Sequence, residues 1–172
     1  MKSKFIDLIK NKQLFGYFLI AISLGSEALA LFIQYGLGYQ PCSLCVLMRS
    51  SVALMGIAGL VQIVLPDGKI DWFKKPLVFL SSVASIYWML SFTYEGLMIE
   101  KGKMIATCST SSPFPSFLPL DSIFPFIFQP HGICGFSPTL FADITLMELS
   151  LFGFIVVALL MALHFTFNLI KK

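Results

Sequence analysis

Four stretches of roughly twenty mostly apolar residues, at about 14–35, 45–65, 76–98 and 149–170, constrain this chain more than any other feature. A bilayer core is about 30 Å thick, and a helix rising about 1.5 Å per residue needs about 20 apolar residues to cross it. In lipid the backbone must satisfy its hydrogen bonds internally, so each stretch is predicted to be a helix. Composition agrees. Hydrophobic residues make up 57% and charged residues 12%, about half the charge of a soluble domain. That leaves too little polar surface to cover a water-soluble monomer, and it excludes disorder, which needs low hydrophobicity and high charge. A net charge of +3 with no Lys/Arg-rich run and no Gly-rich phosphate loop excludes a nucleic-acid partner. The expected fold is an all-α membrane protein, one integral domain over residues 1–172. It is a four-helix transmembrane bundle with a long loop, about 99–148, that carries a short membrane-surface segment.

Orientation follows from the basic residues. Lys2, Lys4, Lys10 and Lys12 precede the first span, Lys69, Lys74 and Lys75 lie between the second and third, and Lys171 and Lys172 follow the fourth. These nine fall on one side, against Lys101, Lys103 and the boundary residue Arg49 on the other. Both termini are therefore expected in the cytoplasm, with residues 36–41 and the long loop facing outward. The first apolar run is longer than the core of a signal peptide and is read as retained. Small residues mark close helix contacts in lipid; Ala21, Gly25, Gly56, Gly59, Ser81 and Ser85 are the candidates.

All four cysteines, Cys42, Cys45, Cys108 and Cys134, fall on the outward side or its boundary. Cysteines used as small hydrophobes would also appear inside the spans; this placement matches an oxidising compartment. Four cysteines allow three pairings. The spacing Cys42-Ser43-Leu44-Cys45 suggests one local pair, leaving Cys108 with Cys134. Pro41 suits a helix start, and residues three apart on a helix lie within disulfide reach. The helix N-terminus favours a thiolate near Cys42 or Cys45. A four-residue loop restrains little chain entropy, so this pair would be a poor staple, and a redox role is the better reading. Zinc would need a second close pair or nearby histidines, whereas the next cysteine is 63 positions on and His131 stands alone near Cys134.

Arg49, the one arginine, shares a face with Cys45 about one turn into an apolar span. A cation there is costly and needs an anionic or polar partner, such as a thiolate or a bound polar ligand. Glu27, inside the first span, is either functional or a protonated acid bonded to a neighbouring helix. Cys108 and Cys134, 25 residues apart, enclose a loop rich in Pro and Phe, with Phe114 to Phe128 expected on the membrane surface. Its Ser, Thr and Gly flanks suggest mobility and thiol access. Tyr94 and Glu95 are read as structural, His164 as packing, and Asp121 and Asp143 as solvated or capping.

These residues together resemble the bacterial disulfide-bond formation protein B (DsbB) family. The matching features are Glu27, Pro41-Cys42-Ser43-Leu44-Cys45, Arg49, Thr93-Tyr94-Glu95, Ala106-Thr107-Cys108, Phe114-Pro115, Leu118-Pro119-Leu120-Asp121, Gly132-Ile133-Cys134 and Glu148, over nearly the whole chain. Met48 stands where some members carry an acid. The resemblance implies an enzyme of the bacterial inner membrane, a protein-disulfide:quinone oxidoreductase that sustains disulfide-bond formation. By that analogy Cys108–Cys134 takes electrons from a periplasmic DsbA-type dithiol protein, and Cys42–Cys45 reoxidises the loop pair. Cys45 then passes the electrons to a quinone, ubiquinone or menaquinone, with Arg49 holding its polar head; no metal takes part. Two other readings compete: a thiol oxidase of the same family serving one dedicated client, and a non-catalytic four-span scaffold with a stapled outer loop. The scaffold leaves Cys42, Cys45 and Arg49 unexplained.

Overall fold

The computed structural model describes residues 12–65, 71–105, 112–135, 137–141 and 144–170. Four helices are long and apolar enough to cross a membrane: Gln13–Gly36, Ser43–Val64, Trp72–Glu100 and Leu146–Phe167. The chain forms an all-α, four-helix membrane bundle, as expected from the sequence. Helix α1 spans Lys12–Leu31 and continues as a π-helical turn, Phe32–Gly36. Helix α2 spans Ser43–Val64 and α3 spans Asp71–Glu100. Two single-turn helices follow in the long loop, α4 (Leu120–Ile123) and α5 (Pro125–Phe128). A short antiparallel ribbon, β1 (Thr139–Phe141) with β2 (Ile144–Thr145), leads into α6 (Leu146–Ile170).

The long helices run alternately up and down. Helices α1 and α3 both pack along α2, and α6 packs on α3. The fit of α1 to α2 depends on small residues. A side chain at Gly59 would stand 2.8 Å from the Gly16 carbonyl oxygen, and one at Gly56 would meet Ser23. Ser23 Oγ donates to the Val52 carbonyl across the same seam at 2.9 Å. Such contacts let backbones approach where lipid removes any hydrophobic preference for protein over solvent. The sequence located this seam correctly on α2 but misplaced it on α1. Ala21 is exposed and nothing lies within 4 Å of a Cβ at Gly25, so Gly16 and Ser23 take that role.

Phe15, Leu19, Val52, Met55, Met89, Val157 and Met161, drawn from all four long helices, form the main core. Toward the end of the bundle that carries the termini, Phe15 stacks on His164 with ring centroids 3.8 Å apart, closing α1 against α6. His164 is thus a packing residue, as expected. A second, smaller core of Cys42, Leu44, Ile99 and Cys134 closes the opposite end.

Candidate functional site

The chain enters α2 through Pro41, and Cys42 caps the helix with extended backbone angles (φ −81°, ψ 171°). An N-cap side chain accepts from a backbone N–H that has no partner within the helix; here Cys42 Sγ accepts from the Cys45 N–H at 3.4 Å. The same geometry brings the two sulfurs to 2.8 Å, both as free thiols. Cys42 lies just outside the span. The Cys45 thiol hydrogen-bonded to it, helped by backbone N–H groups at the helix start, holds its pKa at about 7, down from 9.0, against the opposing effect of burial. A thiolate is the attacking species in disulfide exchange, so Cys42 is poised to react near neutral pH.

The long loop folds back onto this helix start. The Pro41 carbonyl accepts from both the His131 and Gly132 N–H groups, at 3.0 and 2.9 Å. A Cβ at Gly132 would stand 2.3 Å from the Gln40 carbonyl oxygen, so only glycine allows this approach. Two residues further on, Cys134 is buried in the cluster with Cys42 and Leu44, its Sγ 4.0 Å from Ser43 Oγ. Cys134 is disulfide-bonded; Cys108 lies outside the described residues. Beyond Cys134, Ser137 and Thr145 both donate to Glu100 at the end of α3, at 3.2 and 3.3 Å, and Lys101 pairs with Glu148 at 3.0 Å. The flank expected to be mobile is therefore tied down on the Cys134 side. The loop's exposed apolar side chains are those expected at a membrane surface, among them Phe117, Ile123, Phe124 and Phe126.

Arg49 is buried one turn below Cys45. Its Nη1 donates to Gln34 Oε1 at 2.6 Å and to the Ile127 carbonyl at 2.9 Å, and its Nη2 donates to the Ala30 carbonyl at 3.1 Å. The partner demanded by a cation in an apolar span is thus supplied by protein carbonyl groups, from α1, its π turn and α5. Gln34 was not singled out by the sequence. An amide near the end of a span looks interfacial, and only the extra residue of the π turn carries it inward. Tyr35 Oη, on the same turn, donates to the Phe126 carbonyl at 2.8 Å.

Between α1 and α6, with α2 as its floor, lies a groove of about 640 Å³. Its walls are mostly apolar, from Ile22, Leu29 and Ile33 across to Phe152 and Val156, and Cys45, Arg49, Glu27, Gln40 and Tyr39 open into it. Volume and character are those of a small-molecule site, apolar with a few convergent polar groups. Both carboxyl oxygens of Glu27 are buried, with no hydrogen-bond partner among the described residues. Among the described residues no group of His, Cys, Asp and Glu could hold a metal ion.

A dithiol at a helix start, a disulfide-bonded cysteine docked beside it and an apolar groove leading from it into the bundle define a membrane-embedded thiol–disulfide protein. The chain belongs to the DsbB family: the model for "Disulfide bond formation protein DsbB" matches residues 12–164. It is 32% identical over 145 residues to disulfide bond formation protein B of Shewanella frigidimarina, covering 84% of this chain and 83% of that one. Over 163 residues it is 32% identical to the Pasteurella multocida protein of the same name, covering 94% of this chain and 89% of the relative. Its role is thereby placed in disulfide-bond formation.

Proposed function

We propose that the protein oxidises a periplasmic DsbA-type dithiol protein and passes the electrons, through two cysteine pairs, to a membrane quinone. It sits in the bacterial inner membrane with both termini cytoplasmic, following the distribution of basic residues. One observation carries the reading: Cys134 is buried in one cluster with Cys42, whose sulfur lies 2.8 Å from that of Cys45, and Cys45 lines the groove. The first step is exchange at the loop pair, Cys108 and Cys134, which leaves the client oxidised and the loop reduced. A loop thiolate then attacks the Cys42–Cys45 disulfide through a mixed disulfide, over the short path from the buried Cys134. The two α2 sulfurs, 2.8 Å apart, reclose with little backbone movement.

The groove would suit a quinone head and the start of its tail in size and in apolar lining, and Arg49 and Gln40 are polar groups among its walls. Bound there, a quinone supplies the two-electron acceptor. Arg49 and Gln40 would hold its oxygens, Cys45 would face its ring, and the flanking Phe152 and Leu29 would exclude water. Ubiquinone and menaquinone both meet these requirements.

The reading is tested with purified protein, a reduced DsbA-type protein and a soluble quinone analogue, following quinone absorbance. Steady quinone reduction is expected, lost on Cys45→Ser while the client still binds. A protein that binds no client and leaves the analogue oxidised would instead be a stapled scaffold. Turnover with one client protein and not with others would make it a dedicated oxidase.

A further inference from the structure

Glu27 is the one buried carboxyl group of the groove, and nothing described so far uses it. Its two oxygens have no hydrogen-bond partner among the described residues. It shares the groove with Cys45 and Arg49, yet the Arg49 donors described above go to Gln34, Ala30 and Ile127. An intramembrane carboxyl left unpaired is costly, which makes it a candidate for function. The other charged or titratable side chains lining this groove are Arg49, Cys45 and Tyr39.

The chemistry of the groove leaves a proton to be found. Reducing a quinone to its hydroquinone takes two electrons and two protons. Closing the Cys42–Cys45 disulfide yields two electrons, but only as many protons as the two thiols still hold. Cys42, at the helix start, loses its proton with a pKa of about 7, and whenever it reacts as the thiolate the pair brings two electrons and one proton. The second proton has to come from a group that reaches the groove without admitting bulk water.

We infer that Glu27 supplies this second proton to the quinone bound between α1 and α6. The inference rests on the groove being the quinone site. The balance is Cys42 thiolate, Cys45 thiol, Glu27 carboxylic acid and quinone giving the Cys42–Cys45 disulfide, Glu27 carboxylate and hydroquinone. One S–S bond forms, the S–H and carboxyl O–H bonds break, and two O–H bonds form on the reduced ring. The positive charge of Arg49 in the same groove steadies the carboxylate until it is reprotonated after the hydroquinone has left.

The test uses the full chain in lipid nanodiscs with ubiquinone-1 as probe, reading binding, single-turnover reduction and infrared difference spectra. Glu27→Gln keeps size and polarity but carries no acid. It is expected to bind ubiquinone-1 close to the native affinity and to reduce it about a hundredfold more slowly, the usual worth of a general acid. Glu27→Asp should recover part of that rate. In the native chain, reduction of the bound probe should remove a carboxylic-acid C=O band that shifts in heavy water and is missing from Glu27→Gln. Native binding with an unaffected Glu27→Gln rate, or no carboxylic-acid band change in the native spectrum, overturns the role of Glu27 alone. A native chain that does not bind ubiquinone-1 overturns the groove reading and this inference with it. The native infrared measurement decides the matter even if the Gln variant does not fold.

Discussion

Cys42 and Cys45 are three residues apart and chemically unlike. One caps the helix at the water-facing end, and the other lines the groove. Alkylation of Cys42 in the reduced protein should rise with pH through a midpoint of about 7, because thiolate accumulates above the pKa. In Cys45→Ala the largest stabilising contact is gone, so the midpoint should move up toward 9.0. An unmoved midpoint would mean that the helix start alone activates the thiol. Arg49 has a structural load besides the quinone contact proposed for it. The sequence alone would have Arg49→Ala weaken quinone affinity more than the fold. The structure adds that the same change strips Gln34 and two carbonyls of their donor, a loss of about 3 kcal/mol or more. Both thermal stability and quinone affinity should therefore fall, and Arg49→Lys, which keeps the charge, should recover part of each. The cysteines and Arg49 were legible because their residue types are conspicuous in an apolar chain. Gln34 was not, because its burial depends on the backbone around it.

At the scale of elements, hydropathy located each span to within a few residues except at α3. The apolar stretch there was expected to start near residue 76, but the helix begins at Asp71 and carries Pro76 inside. Lys74 is buried there and donates to the Leu65 carbonyl, so the added turn is held by tertiary contact that hydropathy does not register. The β1–β2 ribbon was missed because strands of three and two residues carry too few positions to show a period. The docking of the loop was equally hidden, since it depends on backbone groups of Pro41, His131 and Gly132. Gly132→Ala should push the loop off the α2 start. Exchange between the loop and α2 pairs should slow, while quinone reduction by already reduced Cys42 and Cys45 keeps its native rate. Stopped-flow measurement of the two steps separates them, and equal slowing of both would count against the docking role. If the loop pair is a working couple, its reduction potential should also lie above about −300 mV, the region of inert structural disulfides.

For the whole molecule, the count and order of helices followed from the chain, but the space between α1 and α6 did not. A groove is what remains after packing, and no residue encodes it alone. Gly153 lines it with nothing within 4 Å of a Cβ. Gly153→Phe should therefore fill the groove without disturbing neighbours: quinone affinity drops, while melting temperature and client oxidation in a single turnover stay native. Unchanged affinity would place the acceptor elsewhere.

The Phe15–His164 stack ties α1 to α6 at the end of the bundle that carries the termini, and the pair works like a clothes-peg held shut at its spring. If the groove takes up a membrane quinone, the quinone would enter sideways, head first, with its hydrocarbon trailing among the lipids and not threaded through protein. The bundle would be indifferent to chain length and would sample its acceptor at the concentration that two-dimensional diffusion sets.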